Sequence, residues 1–148
     1  MRTIDSLHRS GVGIGPERTI RDAAVLMERA GVGSLAVIDD DRLIGLVTDR
    51  DLVRRVLARD LAPDARIDSV MTTPVVTIPP SADLDQAYVL FGTHGIRRLA
   101  VERDGQFVGM ISVDDLLVYV SRQLTDLASP VTAEILFSHR DAPVPARV

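Results

Sequence analysis

The stretch Gly45-Leu46-Val47-Thr48-Asp49-Arg50-Asp51-Leu52 decides the fold, because it returns sixty-four residues later as Gly109-Met110-Ile111-Ser112-Val113-Asp114-Asp115-Leu116. In each copy a glycine and two apolar residues lead to a hydroxyl side chain, and three positions further stands an aspartate followed by leucine. This pattern predicts a strand, a sharp turn and the start of a helix. A hydroxyl and a carboxylate at such a turn either cap the helix or bind the sugar and phosphate of a ligand, and the motif alone leaves both functions open.

The two copies belong to a longer internal repeat. Positions 12–56 match positions 76–120 without a gap, and the fifteen identities fall at core and turn positions. A lead-in also recurs, Ile4–Leu7 against Ile67–Val70, but at a spacing of sixty-three residues. One residue is therefore gained or lost before the first strand, and the chain reads as two copies of one structural unit.

Each copy predicts a β-α-β-β-α unit. Apolar residues at positions i, i+3, i+4 and i+7 predict the first helix, and Gly31 and Gly95 stand where a left-handed residue ends it. The joints Asp39–Arg42 and Arg103–Gln106 have the composition of hairpin turns. The predicted strands lie near Val12–Ile14, Leu35–Ile38, Leu43–Val47, Val75–Ile78, Leu99–Glu102 and Phe107–Ile111.

One such unit has too small a core to be stable alone, so the expected fold is α/β (α+β), with the two β-α-β-β-α repeats packed about a pseudo-twofold axis. The second closing helix is predicted to reach about Ala128, where Ser129-Pro130 stops or restarts it. Pro143-Val144-Pro145 is typical of an extended tail. The expected segments are repeat 1 at 4–60, a linker and lead-in turn at 61–73, repeat 2 at 74–128 and a C-terminal extension at 129–148.

Composition argues against several classes of function. The 148 residues include no cysteine and no lysine, which removes thiolate chemistry and lysine Schiff bases. A net charge of −4 and five aromatic residues argue against a nucleic-acid surface. No apolar run is long enough for a membrane span and no signal region opens the chain, so we expect a cytoplasmic protein with no membrane partner.

Catalytic and metal-binding patterns are also missing from the sequence. The three histidines, His8, His94 and His139, lack metal-ligand spacing. No Gly-x-Ser-x-Gly elbow occurs, and the glycine-rich segment 11–15 lacks the Lys-Ser/Thr ending of a phosphate loop. We therefore expect no metal, no required cofactor and no enzyme, with a small nucleotide-processing enzyme around Ser112, Asp115 and His94 as a remote alternative.

The doubled strand-to-helix motif, with the preceding stretches Gly33-Ser34-Leu35-Ala36-Val37 and Ile96-Arg97-Arg98-Leu99-Ala100-Val101, resembles a tandem pair of CBS domains, the modules named after cystathionine β-synthase. The resemblance covers roughly residues 4 to 124. It implies a CBS-pair architecture with clefts between the repeats that bind adenosine-containing ligands such as AMP, ATP or S-adenosylmethionine. It also implies that two chains associate as a disc-like homodimer.

The resemblance assigns roles to individual residues. The ribose-binding hydroxyl and aspartate of the family map onto Thr48 with Asp51 and onto Ser112 with Asp115. An aspartate suits this role because its oxygens accept hydrogen bonds from both ribose hydroxyls. The alternative is a capping box in each copy, and both functions can hold, one in each copy.

Phosphate and adenine contacts follow from the same resemblance. The phosphate candidates are Arg50, Arg97, Arg98 and His94, and the candidates for adenine contact are Gly13, Ile14, Thr77 and Ile78. Pseudo-symmetry places Arg50 and Arg98 near one phosphate group. The alternative is that these arginines pair with Asp114, Glu102 or Asp49 on a solvated face. The first motif contains Arg50 where the second contains Asp114. We therefore expect Thr48 and Asp51 to form the better site for a phosphorylated ligand.

These observations favour a non-catalytic regulatory module that binds AMP, ADP, ATP, S-adenosylmethionine or NAD and signals to an effector protein through a change in shape or association. A competing hypothesis is a ligand-independent dimeric scaffold that holds a protein partner with the C-terminal extension.

Overall fold

The computed structural model describes residues 2–137, so the predicted tail at Pro143–Pro145 lies outside the described residues. The chain divides into two compact units, one ending at Val113 and one beginning at Asp114. The elements, in chain order, are β1 Gly13–Ile14, α1 Ile20–Ala30, β2 Ser34–Asp39, β3 Arg42–Thr48, α2 Asp49–Asp51, β4 Thr77–Ile78, α3 Leu84–His94, β5 Arg98–Arg103, β6 Gln106–Ser112 and α4 Val113–Phe137.

The first unit contains a six-stranded sheet with the order β1-β2-β3-β6-β5-β4. Within each repeat the first strand pairs parallel to the second, and the second pairs antiparallel to the third. The two halves meet at the antiparallel pair Arg42 and Gln106. This order reads the same from either edge, as a pseudo-twofold axis requires, and it confirms the predicted α/β fold of two repeats.

Local sequence signals explain the shared elements. Gly31 and Gly95 end α1 and α3 in the left-handed conformation, with φ of 64° and 60°. The hairpin between β2 and β3 turns at Asp40 and Asp41, where φ is 45° and 64°, and its counterpart turns at Asp104–Gly105. Both are two-residue turns with positive φ, the conformation that follows the twist of antiparallel strands. The predicted hairpins and helix ends are therefore confirmed.

A capping box starts α1. The Thr19 hydroxyl accepts a hydrogen bond from the Asp22 backbone N–H at 3.0 Å, and the Thr19 N–H donates to Asp22 Oδ2 at 3.1 Å. The pKa of the Asp22 carboxyl is lowered, mainly by the hydrogen bond from the Thr19 backbone N–H and secondly by the Thr19 side chain. Both interactions favour the charged form of the carboxyl.

The lead-ins pack against the opposite repeat. The short 3₁₀ helix Ile67–Ser69 precedes repeat 2, yet the Ile67 N–H donates to the Arg18 carbonyl at 2.8 Å, and Ile67 belongs to the buried cluster that contains Ile20 and Leu35. In the same way the Ile4 N–H donates to the Ala82 carbonyl of repeat 2 at 2.9 Å. The lead-in before repeat 2 thus packs on repeat 1, and the lead-in before repeat 1 is hydrogen-bonded to repeat 2. The boundaries 4–60, 61–73 and 74–128 remain predictions.

Two helices differ from the predictions. The closing helix of repeat 1 is irregular: after α2 the chain continues as a π-helical segment, Leu52–Val56, and a 3₁₀ segment, Leu57–Arg59. The prediction that Ser129-Pro130 stops or restarts the second closing helix is wrong, because α4 continues through Pro130 to Phe137. Proline removes one helical hydrogen bond, but the residues that follow include the good helix formers alanine, glutamate and leucine.

Candidate functional site

The turn between β3 and α2 holds the first predicted ribose pair. Thr48 ends β3, and its hydroxyl oxygen accepts a hydrogen bond from the Asp51 backbone N–H at 3.1 Å. The Thr48 N–H donates to Asp51 Oδ2 at 2.9 Å. The two residues therefore form a complete capping box, which is the alternative function considered for this motif.

The capping box leaves further hydrogen-bonding capacity. The Thr48 hydroxyl accepts from Asp51, and its own hydrogen can be donated to another group. The second oxygen of Asp51, Oδ1, lies 3.6 Å from Arg55 Nη2, and the Asp51 side chain is 18% exposed. An ionised carboxylate accepts about four hydrogen bonds, so capping and ligand binding are compatible at Asp51.

Arg55 is a site residue to which the sequence analysis assigned no role. It lies four positions after Asp51, a spacing at which helical side chains meet. Besides its ion pair with Asp51, its Nη1 donates to the Val70 carbonyl at 2.7 Å. Arg55 thus links the candidate site to the lead-in of repeat 2.

Arg98 of repeat 2 reaches the β3–α2 turn of repeat 1. A Cβ atom built on Gly33 would lie 2.8 Å from Arg98 Nη2 and 3.1 Å from Asp49 Oδ2. The Asp49 N–H donates to the Gly33 carbonyl at 3.0 Å, so all three residues lie at the turn that Thr48 begins. The missing side chain of Gly33 leaves the space into which the guanidinium extends.

The equivalent position in repeat 2 differs. Arg97 stands where repeat 1 has Gly33, and its carbonyl accepts from the Val113 N–H at 3.0 Å, the same backbone contact. Repeat 1 also has Ser34, which is short and nearly buried, where repeat 2 has Arg98. The backbone of the two turns is therefore pseudo-symmetric, and the Arg98 guanidinium of repeat 2 lies at the turn of repeat 1.

The remaining phosphate candidates are less well positioned. Arg50 is exposed, and its backbone N–H donates to Asp49 Oδ1 at 2.8 Å. Arg97 is exposed just before β5, and His94 is the exposed last residue of α3. Of the four phosphate candidates, Arg98 is the one whose guanidinium has a described position at the β3–α2 turn, where it lies close to Gly33.

The adenine candidates lie at the outer edges of the sheet. Gly13 and Ile14 form β1, and Thr77 and Ile78 form β4 at the opposite edge. Gly13 and Ile14 line a groove of about 540 Å³ against α1, within the usual size range of ligand pockets. Thr48 and Asp51 do not line this groove. The structure thus does not bring these two adenine candidates into one described groove with the ribose candidates.

The two residues of the second predicted ribose pair, Ser112 and Asp115, belong to different units of the chain. Ser112 ends β6 in the first unit, and Asp115 is the third residue of α4 in the second unit. Both residues are partly buried. Their relation in sequence matches that of Thr48 and Asp51, and their role in ligand binding stays a prediction.

Residues 2–137 contain neither a metal-binding cluster nor a membrane-spanning helix. The described residues contain no group of three or more histidine, aspartate or glutamate side chains arranged to hold a metal ion. Over the same residues, every helix is too short or too polar to cross a membrane.

Two β-α-β-β-α repeats around a pseudo-twofold axis, each with a hydroxyl–carboxylate pair at its strand-to-helix turn, define a class of paired-repeat modules. The family model for the CBS domain matches residues 7–58 and 67–122, which is more than half of the chain. The chain belongs to the CBS domain family and contains two CBS domains in tandem.

Known proteins with the same arrangement support this assignment. The chain is 32% identical over 114 residues to the CBS domain-containing protein YhcV of Bacillus subtilis, with 77% of this chain and 81% of that protein covered. An uncharacterized conserved protein from Pyrococcus horikoshii superposes with a TM-score of 0.75 at 29% identity, covering 80% and 92% of the two chains. The CBS domain protein PAE2072 from Pyrobaculum aerophilum, solved in complex with AMP, gives 0.71 at 26% identity, covering 78% and 90%.

Proposed function

We propose that this protein is a non-catalytic regulatory module that binds an adenosine-containing ligand between its two repeats and signals by a change in shape or association. The observation that carries the proposal is the position of Arg98. Its guanidinium comes from repeat 2 and lies beside the turn of repeat 1 that holds Thr48 and Asp51. A hydroxyl, a carboxylate and a cation from two repeats are the groups that a ribose phosphate needs. The AMP complex of PAE2072 supports this class of ligand.

Each group has a distinct role in the proposed complex. Asp51 accepts hydrogen bonds from the two ribose hydroxyls, and the hydrogen of the Thr48 hydroxyl is donated to a phosphate oxygen. Arg98 provides a planar fork that matches phosphate geometry. AMP, ADP and ATP fit this arrangement directly, and NAD and S-adenosylmethionine are further candidates. Because binding involves both repeats, a bound ligand favours the conformation in which they approach each other most closely.

A ligand panel tests the proposal. The free protein is mixed with AMP, ADP, ATP, NAD or S-adenosylmethionine, and thermal unfolding and calorimetry are recorded. A ligand at a hundred times its Kd stabilises the folded state by about 2.7 kcal/mol, which gives a clear rise in Tm. No rise and no binding heat with any of the five would contradict the proposal. Chromatography of the same samples reports turnover, the result that the enzyme alternative requires.

The ligand-independent scaffold is the second candidate function. It is favoured by the Thr48–Asp51 capping box, which is complete without a ligand. The exposed apolar residues of α4 also favour it. Under this hypothesis the C-terminal extension holds a protein partner, and the ligand panel leaves Tm unchanged.

Arg98 and Asp49, whose side chains both approach Gly33, give a prediction for phosphate binding. Arg98→Gln should weaken AMP binding about tenfold or more, because it removes a charge-assisted hydrogen bond. Asp49→Asn should strengthen AMP binding about three- to tenfold, because the carboxylate beside Arg98 competes with phosphate for the guanidinium. Calorimetry with AMP measures both changes.

Adenosine and a charge-matched variant are the controls. Adenosine has no phosphate, so its affinity should change little in either variant. Arg59→Gln removes one positive charge from an exposed residue at the end of the 3₁₀ segment and should leave AMP affinity unchanged. Equal losses of AMP and adenosine affinity in Arg98→Gln would show that Arg98 supports the fold of the site and does not bind phosphate.

A further inference from the structure

The groove between β1 and α1, of about 540 Å³, contains two arginines with a valine between them. Arg21, Val25 and Arg29 stand four positions apart on α1, and all three line the groove. Val25 is 37% exposed, and both arginines are exposed. Among residues 2–137, neither arginine side chain has a hydrogen-bond or ion-pair partner. The α1–β1 groove therefore presents two free cations on either side of an apolar side chain.

The two carboxylates that also line the groove do not neutralise these cations. Asp22 Oδ2 accepts from the Thr19 N–H at 3.1 Å and lies 3.3 Å from Arg18 Nε. Glu17 is folded against Gly15, because a Cβ atom built on that glycine would lie 2.6 Å from Glu17 Oε1. Both carboxylates are thus engaged near the N-terminal end of α1, and the groove keeps the capacity to bind anionic groups.

The fold does not require arginine at these positions. Helix α3 of repeat 2 has the same length of eleven residues as α1. Sixty-four residues after Arg21, Val25 and Arg29 it has Asp85, Val89 and Thr93. The valine is kept and both cations are missing. The charged row is therefore a property of repeat 1 alone, and we attribute it to recognition of a partner.

The spacing of the row fits an extended peptide. Residues four apart in a helix advance about 6 Å along its axis. Residues two apart in a strand advance about 6.6 Å, and their side chains lie on the same face. Two acidic side chains with an apolar one between them, at alternate positions of a strand, therefore match Arg21, Val25 and Arg29.

Two further features favour a peptide over a small anion. The two arginines lie about 12 Å apart along the helix axis, farther than one phosphate or carboxylate group extends. Strand β1 is an end strand of the sheet, and its residues Gly13 and Ile14 line the same groove. The outer backbone groups of an end strand can pair with an added strand, which is a common way to bind peptides.

We propose that the α1–β1 groove binds an extended acidic segment of a partner protein. In this complex two carboxylates, four residues apart in the partner, contact Arg21 and Arg29, and the apolar side chain midway between them contacts Val25. The partner is thus recognised by the pattern acidic–x–apolar–x–acidic. Thr48 and Asp51 do not line this groove, so the proposal does not depend on the proposed ligand site.

Fluorescence anisotropy with synthetic peptides and the full chain tests the spacing. The probe is fluorescein-labelled Thr-Glu-Thr-Val-Thr-Glu-Thr with blocked ends. The matched peptide, Thr-Thr-Glu-Val-Glu-Thr-Thr, has the same composition and charge, but its glutamates lie on the opposite face from the valine. We expect the probe to bind at least tenfold more tightly than the matched peptide. Equal Kd values, or a Kd above about 1 mM for the probe, would overturn the proposal.

Charge variants test the two arginines. Arg21→Gln with Arg29→Gln should raise the Kd of the probe about tenfold or more, because two charge-assisted contacts are lost. Arg54→Gln with Arg59→Gln removes the same charge from two exposed residues outside the groove and should change the Kd less than twofold. Equal effects of the two double variants would show that only the net charge of the chain matters, and the proposal would fail.

Charge reversal distinguishes direct contact from a structural role. The variant Arg21→Glu with Arg29→Glu should bind Thr-Arg-Thr-Val-Thr-Arg-Thr more tightly than the probe, which reverses the preference of the natural chain. Circular dichroism and urea denaturation confirm that the variant is folded. A folded variant that binds neither peptide would show that the arginines do not contact the peptide charges.

Competition with AMP separates the groove from the proposed ligand site. AMP should leave the probe bound to the Asp51→Ala variant, in which the proposed ligand site is weakened. Displacement of the probe from this variant would show that AMP occupies the groove, and the proposal of a peptide site would be wrong. If AMP binds nowhere on the natural chain while the probe binds as expected, the proposed function fails and the peptide site stands.

Discussion

Replacing Asp51 by alanine should lower the affinity for AMP by about a hundredfold or more. Hydrogen bonds to an ionised group contribute about 1.5–3 kcal/mol each, and the ribose offers two hydroxyls to this carboxylate. Each 1.4 kcal/mol is about a factor of ten in Kd. Isothermal calorimetry of the natural chain and of Asp51→Ala with AMP measures the change directly.

The effect of Asp51→Ala on binding must be separated from its effect on folding. Removal of a capping residue costs about 0.5–2 kcal/mol of stability. Asp83 is the matched control, because it caps α3 by accepting a hydrogen bond from the Gln86 N–H at 2.9 Å and is not part of the proposed site. Asp83→Ala should show a similar loss of stability in urea and unchanged AMP affinity.

The comparison of these two variants decides between the functions of the motif. If Asp51→Ala loses stability as Asp83→Ala does but keeps its AMP affinity, the Thr48–Asp51 pair serves only as a cap. Asp115→Ala extends the same comparison to the second motif. A larger AMP effect at Asp51 than at Asp115 is expected, because the turn of repeat 1 is the one that Arg98 reaches.

Local signals explain which parts of the fold the sequence could predict. Gly31 and Gly95 end their helices, and Asp40 and Asp104 open the hairpins, because each of these positions needs a conformation that few residues adopt easily. The sixty-four-residue repeat then fixed the symmetry of the sheet. These features depend on neighbours within a few positions, so sequence pattern is sufficient for them.

Features that depend on distant contacts were not predictable in the same way. The spacing around Ile67 predicts a helical turn, but no local pattern indicates that its side chain is buried in repeat 1. The continuation of α4 through Pro130 also overrides a local signal, although proline costs a helix interior about 3 kcal/mol through its missing N–H and its ring.

The residues of the candidate site likewise include some that local patterns predicted and some that they did not. Thr48 and Asp51 stand out because their motif occurs twice. Pseudo-symmetry predicted that Arg98 lies near Arg50, but no pattern in the sequence indicated that the Arg98 guanidinium approaches Gly33. Arg55 lies four residues from Asp51, and that spacing was the available signal for its ion pair. The adenine candidates came from the family resemblance alone, which does not specify where the edges of this sheet lie relative to the β3–α2 turn.

Ile67→Ala should destabilise the protein by about 2–5 kcal/mol, the usual cost of replacing a large buried aliphatic residue by alanine. Ile67 is 0% exposed and belongs to the same buried cluster as Ile20, Leu35 and Val47 of repeat 1. Domains of this size are commonly stable by about 5–15 kcal/mol, so this loss is a large fraction of the total. Urea denaturation followed by circular dichroism measures it.

The control is Leu61→Ala, an aliphatic-to-alanine change in the same connection at a residue that is 38% exposed. It removes similar atoms but leaves less of a cavity, so its cost should be clearly smaller. Ile4→Ala should behave like Ile67→Ala, because Ile4 is 0% exposed and the other lead-in is hydrogen-bonded to repeat 2. Because each lead-in adjoins one repeat in sequence and packs on the other, both variants should unfold in a single transition. Two separate transitions, or equal costs for Ile67→Ala and Leu61→Ala, would show that the lead-in of repeat 2 is not part of the core of repeat 1.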